Sequence, residues 1–107
     1  MLTREIAIKK AKSFIAELVN LGYNPQQAYI FGSTANGTMH QYSDIDLAIW
    51  DNKFTGIMHE DVEALKILFR NYKEIELHSF KNKDTEETNP FIEIIKKTGI
   101  EIKIDKI

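Results

Sequence analysis

The segment DIDLAIW, residues 44–50, constrains the fold more than any other part of this sequence. Successive side chains of a strand point to opposite faces, and this segment alternates accordingly. Isoleucine and leucine side chains form one apolar face, whereas Asp44 and Asp46 begin the other. We therefore predict a strand that is buried on one face and presents two carboxylates side by side at its start.

Helical and strand-like patterns alternate along the rest of the chain, with turn residues between them. Asn89 is expected to cap the last helix, with Pro90 in its first position and Gly99 at its end. The predicted elements are a helix over 3–21, strands over 28–31 and 44–50, a helix over 58–72, a strand over 74–80, a helix after Asn89 and a strand over 100–104, with a further helical turn at 34–37. This order predicts an α/β fold with a mixed β-sheet of about four strands and flanking helices.

Length and composition exclude several classes of protein. The 107 residues predict one domain, 1–107, and the 43% hydrophobic and 28% charged content is typical of a globular chain. The net charge of −2 gives no indication of nucleic-acid binding. Without cysteine there are no disulfides or thiolate ligands, and without a long apolar run we expect no membrane association and a cytoplasmic location.

Gly32 and Ser33 follow the first predicted strand and form a candidate anion site. Glycine allows the backbone to approach a bulky anion, and a helix beginning at Ser33 would direct its free N–H groups at that anion. The serine hydroxyl adds another donor. A Gly-Ser pair after a strand is more often only a turn, so the pair gains weight only together with its neighbours.

Asp44 and Asp46 form a candidate metal site, because two adjacent carboxylates repel each other unless a cation lies between them. Oxygen ligands of this kind suit Mg²⁺ or Mn²⁺. The alternative is that both acids are simply solvated at a strand end. A third acid is available on the next predicted strand, as Glu74 or Glu76, and we favour Glu76.

The two-part motif GS followed by SDIDL resembles the signature of the nucleotidyltransferase superfamily related to DNA polymerase β. The short chain is similar to the minimal nucleotidyltransferases within it. The resemblance implies that the Gly-Ser pair holds a triphosphate, that the aspartates bind metal ions and that an acid on a later strand completes the site. Carried over, these roles fall on Gly32, Ser33, Asp44, Asp46 and Glu76, and Ser43 also fits the pattern.

The resemblance implies transfer of a nucleoside monophosphate from a nucleoside triphosphate, with ATP as the expected substrate, to a hydroxyl acceptor. Two Mg²⁺ ions are expected as cofactors, and the acceptor can belong to a partner protein. The alternative is an antitoxin-like subunit that masks a helical toxin partner with weak or no catalysis. Asn36 stands where the family often has a basic residue, which favours a third possibility, a module that binds nucleotide without turnover. A homo-oligomer is compatible with the predicted edge strand.

Three histidines and three aromatic residues have weaker claims to function. The spacing of the histidines matches no common zinc motif, although His78 follows Glu76 by two residues and can share its side of the sheet. We expect a hydrogen-bonded structural role for it. His40 is a candidate for phosphate contact, and Tyr42, Trp50 and Phe80 are candidates for base stacking, although surface exposure or core packing is the simpler interpretation for each.

Overall fold

The computed structural model describes residues 3–32 and 44–104 of the chain. Within these ranges, helices and strands follow the predicted order, with one predicted helix divided in two. The elements are α1 (Arg4–Asn20), β1 (Gln27–Phe31), β2 (Ile45–Trp50), α2 (Met58–Ala64), α3 (Lys66–Phe69), β3 (Ile75–Phe80), α4 (Pro90–Thr98) and β4 (Ile100–Glu101). None of these helices is both long and apolar enough to cross a bilayer.

The strands form one mixed sheet in the order β3-β2-β1-β4. β2 runs parallel to β3, whereas β1 is antiparallel to both of its neighbours. Helices cover both faces, so the predicted fold class, a mixed four-stranded sheet with flanking helices, is confirmed. Parallel pairing requires a long crossover, and α2 and α3 supply it between β2 and β3.

Helix α1 forms because its start is capped and its apolar residues recur at helical spacing. The Thr3 hydroxyl accepts a hydrogen bond from the Ile6 N–H at 3.2 Å, as an N-cap residue does. The buried side chains of α1 are Ala7, Ala11, Phe14, Ile15 and Leu18. Ile6 and Leu21, which the sequence pattern also assigns to the apolar face, are largely exposed.

The helix predicted over 58–72 is broken at Leu65, which leaves helical geometry between α2 and α3. Leu65 is buried in the core, and the chain beyond it brings Phe69 and Tyr72 against Phe14. The ring centroids of these pairs lie 5.2 and 5.4 Å apart, within the usual range for aromatic contacts. The break at Leu65 therefore occurs where the following residues pack on α1, and the helical periodicity of the sequence gives no sign of it.

The sheet separates two hydrophobic cores. The larger core packs α1, Leu65 and Phe54 against alternate residues of β2 and β3, including Ile45 and Leu77. The smaller core lies on the opposite face, beneath α4. It consists of Phe31, Ala48, Trp50, Phe80, Ile92 and Ile95. β2 is thus buried on both faces beyond its first residues, rather than on the single face that its sequence predicts.

Helix α4 begins and ends as the sequence predicts. The Asn89 side chain accepts a hydrogen bond from the Phe91 N–H at 3.1 Å, and Pro90 occupies the first turn. A Cβ on Gly99 would overlap the backbone carbonyl of Ile95, which explains the glycine at the tight turn into β4. β4 is shorter than the predicted 100–104, although the Ile102 N–H still donates to the Ala28 carbonyl at 2.8 Å.

A buried carboxylate ties the start of α2 to β3. Asp61 is only 4% exposed and accepts hydrogen bonds from the N–H groups of Thr55 and Gly56 and from the Thr55 hydroxyl. It also accepts a 2.6 Å bond from the Ser79 hydroxyl. These four donors compensate the cost of burying an acid. Burial, together with the nearby Asp61 and Asp51 carboxylates, raises the pKa of Tyr23.

Candidate active site

The parallel pairing of β2 and β3 fixes which side chains meet at the candidate site. Asp46 pairs with Glu76, and two residues further along Ala48 pairs with His78. On the other side of β2, Asp46 pairs with Phe31 at the end of β1. Three neighbouring strands therefore converge near the Asp46 carboxylate, and Ala48 leaves space beside it for the larger His78 ring.

Asp46, Glu76 and His78 form a group in which one ligand atom of each lies within 4.8 Å of the others. His78 Nε2 lies 3.4 Å from Asp46 Oδ1 and 3.8 Å from Glu76 Oε1. The side chains are 27%, 48% and 20% exposed for Asp46, Glu76 and His78. The group is accessible to a ligand and partly shielded from bulk water, a setting in which electrostatic attraction to a cation is stronger than in water.

Aromatic rings support the imidazole of His78. The Phe31 ring meets it edge-on, with centroids 4.9 Å apart, and the Phe91 ring of α4 lies 6.4 Å away. Phe31 and Phe91 contact each other at 5.6 Å. This packing restricts the orientation of the imidazole and links the site to the smaller core.

Gly32 lies directly beside the Asp46 carboxylate. Its φ of +73° belongs to the left-handed region that favours glycine. A Cβ at this position would overlap Asp46 Oδ2. The predicted anion turn and the predicted metal acid are therefore neighbours in space, and glycine is the residue that permits this approach.

Among the described residues, two other predicted acids, Asp44 and Glu74, are not part of the group. Asp44 is exposed immediately before β2 and shares a groove with Glu76 and Lys73, but its carboxylate is not among the three clustered ligands. Glu74 lies just before β3 and binds Lys10 Nζ of α1 at 2.9 Å, and it is not among the three clustered ligands. Other predictions concern residues outside the described ranges and stay predictions. They are those for Ser33, Asn36, His40, Tyr42, Ser43 and the helical turn at 34–37.

His78 is one of the three clustered ligands, whereas the sequence analysis expects only a hydrogen-bonded structural role for it. The two-residue spacing after Glu76 is the signal for its location, since alternate residues of a strand share a face. Trp50 and Phe80 behave as expected for core residues: their rings stack at 4.8 Å in the smaller core, and the Trp50 indole donates to the Asp84 carbonyl at 3.0 Å. Neither ring is available for base stacking.

The chemistry of the group suits a divalent cation. Two carboxylates and an imidazole provide oxygen and nitrogen donors. In the described part of the chain, no ion pair joins a lysine or arginine to any of these three side chains. Because residue 32 is glycine, it places no side chain against Asp46 Oδ2. The residues present therefore fit a divalent metal ion.

This fold and this arrangement of acids define a nucleotidyltransferase. The family model described as Polymerase beta, Nucleotidyltransferase matches residues 12–105, and the chain belongs to this family. The predicted class of protein and the predicted transferase activity at the level of that class are thereby confirmed. No curated protein sequence gives a significant match.

Solved structures support the same fold. A protein from Sulfolobus solfataricus assigned as a nucleotidyltransferase is 19% identical, with a TM-score of 0.64, over 92% of this chain and 80% of its own. A toxin–antitoxin structure with AMP-PNP is also 19% identical, with a TM-score of 0.59, over 89% of this chain and 74% of its own. At this identity, the likeness establishes the nucleotidyltransferase fold alone.

Proposed function

We propose that this chain transfers a nucleoside monophosphate from ATP or another nucleoside triphosphate to a hydroxyl acceptor, in a reaction that depends on Mg²⁺. The observation that carries the proposal is the convergence of Asp46 and Glu76 on adjacent strands, beside Gly32 at the end of β1. Family membership supports nucleotidyl transfer as the reaction class. The AMP-PNP in the toxin–antitoxin neighbour supports a nucleoside triphosphate as the donor.

In this proposal, Asp46 and Glu76 hold a divalent cation, and Asp44 contributes to a second ion from its position two residues before Asp46. Bound Mg²⁺ would neutralise charge on the triphosphate and lower the pKa of the acceptor hydroxyl. Gly32 and Ser33 bind phosphate oxygens, as the family resemblance implies, and Ser43 adds to the same binding site. The chain's own contribution is then mainly positioning, because the carboxylates hold charge where the reaction needs it.

The acceptor is proposed to be a side chain of a partner protein. Asp44 and Glu76 line an open groove, which the side chain of another protein can reach. A second candidate function is masking of a helical partner without transfer. Exposed apolar side chains favour it, since Ile67 of α3 is 70% exposed and lies beside a groove that Leu21 also lines.

One experiment separates these functions. The chain is purified together with any protein that accompanies it, incubated with Mg²⁺ and each nucleoside triphosphate in turn, and every chain is weighed intact. A nucleotide-sized mass gain on the companion, absent with Asp46→Asn, supports transfer. Stoichiometric association with no mass gain supports masking, and pyrophosphate release that survives Asp46→Asn contradicts the proposed site.

A further inference from the structure

The His78 imidazole makes one long hydrogen-bond contact with Asp46 and also faces Glu76. Hydrogen bonds from a ring nitrogen to oxygen are typically about 2.7–3.2 Å long. The distances from His78 Nε2 to Asp46 Oδ1 and to Glu76 Oε1 are 3.4 and 3.8 Å. Both are long for hydrogen bonds, although the three side chains clearly face one another.

The same distances are close to, and somewhat longer than, those between atoms that share one ion. Two ligand atoms each about 2.1 Å from a metal lie about 3.0 Å apart at an octahedral angle and about 3.4 Å apart at a tetrahedral one. The three ligand atoms here lie within 4.8 Å of one another, so a bound ion would need to draw the carboxylates of Asp46 and Glu76 closer to His78. His78 needs little adjustment, because Phe31 already packs against its ring.

We propose that Nε2 of His78 is the third protein ligand of the cation held by Asp46 and Glu76, and that this nitrogen lets the site bind Mn²⁺ more tightly than the Mg²⁺ on which the proposed reaction depends. The inference deepens the proposed function and rests on it for the two carboxylate ligands. Magnesium prefers oxygen ligands, whereas imidazole nitrogen suits transition metals. Mn²⁺ accepts both kinds of donor, so a site with two oxygens and one nitrogen favours it.

The first test is direct binding of Mn²⁺ and of Mg²⁺ to the full-length chain, measured by the electron paramagnetic resonance signal of free Mn²⁺ and by competition with Mg²⁺. His78→Gln removes the proposed ligand and keeps a polar side chain. Loss of a partner in the shell outside the ligands typically weakens metal binding about 10–100-fold. For His78→Gln we therefore expect Mn²⁺ affinity to fall at least tenfold, with a smaller change for Mg²⁺.

The matched control is His59→Gln, because His59 is an exposed residue of α2 outside the group. Its variant should bind both ions as the wild type does. Equal losses of Mn²⁺ and Mg²⁺ affinity in His78→Gln, or no loss of either, would overturn the assignment of His78 as a selective ligand.

The second test starts with the wild-type chain, so its main readout does not depend on whether a variant folds. Electron spin echo modulation of Mn²⁺ bound to the wild-type chain reports a coordinated nitrogen directly. We expect a nitrogen modulation in the wild type and in His59→Gln, and its loss in His78→Gln. Bound Mn²⁺ without nitrogen modulation, or modulation that persists in His78→Gln, contradicts the proposal.

Asp46→Asn distinguishes failure of this inference from failure of the proposed function. If Mn²⁺ binds the wild type through oxygen alone and Asp46→Asn abolishes binding, the carboxylate site stands and the histidine ligand does not. If Asp46→Asn binds Mn²⁺ as the wild type does, both the metal site of the proposed function and this inference are wrong.

Discussion

Asp46 of β2 and Glu76 of β3 are register partners across the parallel strand pair of the sheet. They lie 30 positions apart in the sequence, and the crossover through α2 and α3 brings them together. Their proximity is therefore a property of the topology, and substitutions at the two positions should act on the same step.

Asp46→Asn is expected to reduce transfer at least about 100-fold, because an amide cannot supply the anionic ligand that the proposed cation requires. Pyrophosphate release measures this, and circular dichroism checks the fold, which should be unchanged. The control is Glu60→Gln on the exposed first turn of α2, which should keep full activity. Wild-type turnover in Asp46→Asn would remove Asp46 from the site.

Glu76→Gln and Glu74→Gln form a matched pair that tests which glutamate is functional. Glu76 faces His78 and Asp46, whereas Glu74 binds Lys10 on α1. We expect Glu76→Gln to lose most of the transfer activity. Glu74→Gln should keep activity and lose at most about 1 kcal/mol of stability, since the ion pair is partly exposed. Kinetics and chemical unfolding of both variants measure these effects, and the reverse pattern would assign the role to Glu74.

Gly32→Ala should impair both folding and the site. A left-handed backbone costs a non-glycine residue about 1 kcal/mol or more, and the new methyl group would displace the Asp46 carboxylate. Gly56→Ala is the control, because Gly56 has a φ of +84° but open space around a Cβ. Both variants should lose stability in thermal unfolding, Gly32→Ala more than Gly56→Ala because of the added overlap with Asp46, and only Gly32→Ala should weaken metal binding. Equal metal affinity in the two would show that Gly32 does not shape the site.

Asp61→Ala is expected to destabilise the chain by about 2 kcal/mol, because it leaves the buried Ser79 hydroxyl without its acceptor and releases the more exposed donors of Thr55 and Gly56. Urea unfolding measures the change in free energy. The neighbouring exposed Glu60→Gln should stay within about 0.5 kcal/mol of the wild type. A similarly small effect for Asp61→Ala would mean that water replaces the carboxylate.

Local patterns in the sequence were sufficient to predict the elements that depend on periodicity and capping. The alternation in residues 44–50 predicted β2, and Asn89, Pro90 and Gly99 marked the ends of α4. In each case the signal and the structure involve the same few residues, because turns, caps and strand faces are set by short-range geometry.

Features set by long-range packing could not be predicted in the same way. The break at Leu65 accompanies packing of Phe69 and Tyr72 on Phe14, which lies about fifty positions earlier. Glu74 turns to Lys10 instead of joining Glu76, because it precedes the strand and meets α1. The two-residue spacing between Glu76 and His78 indicates that both side chains lie on one face of β3. The distance from His78 to Asp46 depends on the register between β2 and β3, which the sequence does not give.

Because the protein has two hydrophobic cores, we expect substitutions in one core to affect mainly the amount of folded protein and substitutions in the other to affect mainly its activity. The larger core beneath α1 holds most of the buried apolar residues and does not contain Phe31. The smaller core includes Phe31, whose ring supports His78, and lies beneath α4, which carries Phe91. A saturation scan should accordingly show that substitutions under α1 lower the yield of folded chain, whereas mild substitutions under α4 change the specific activity of molecules that fold normally.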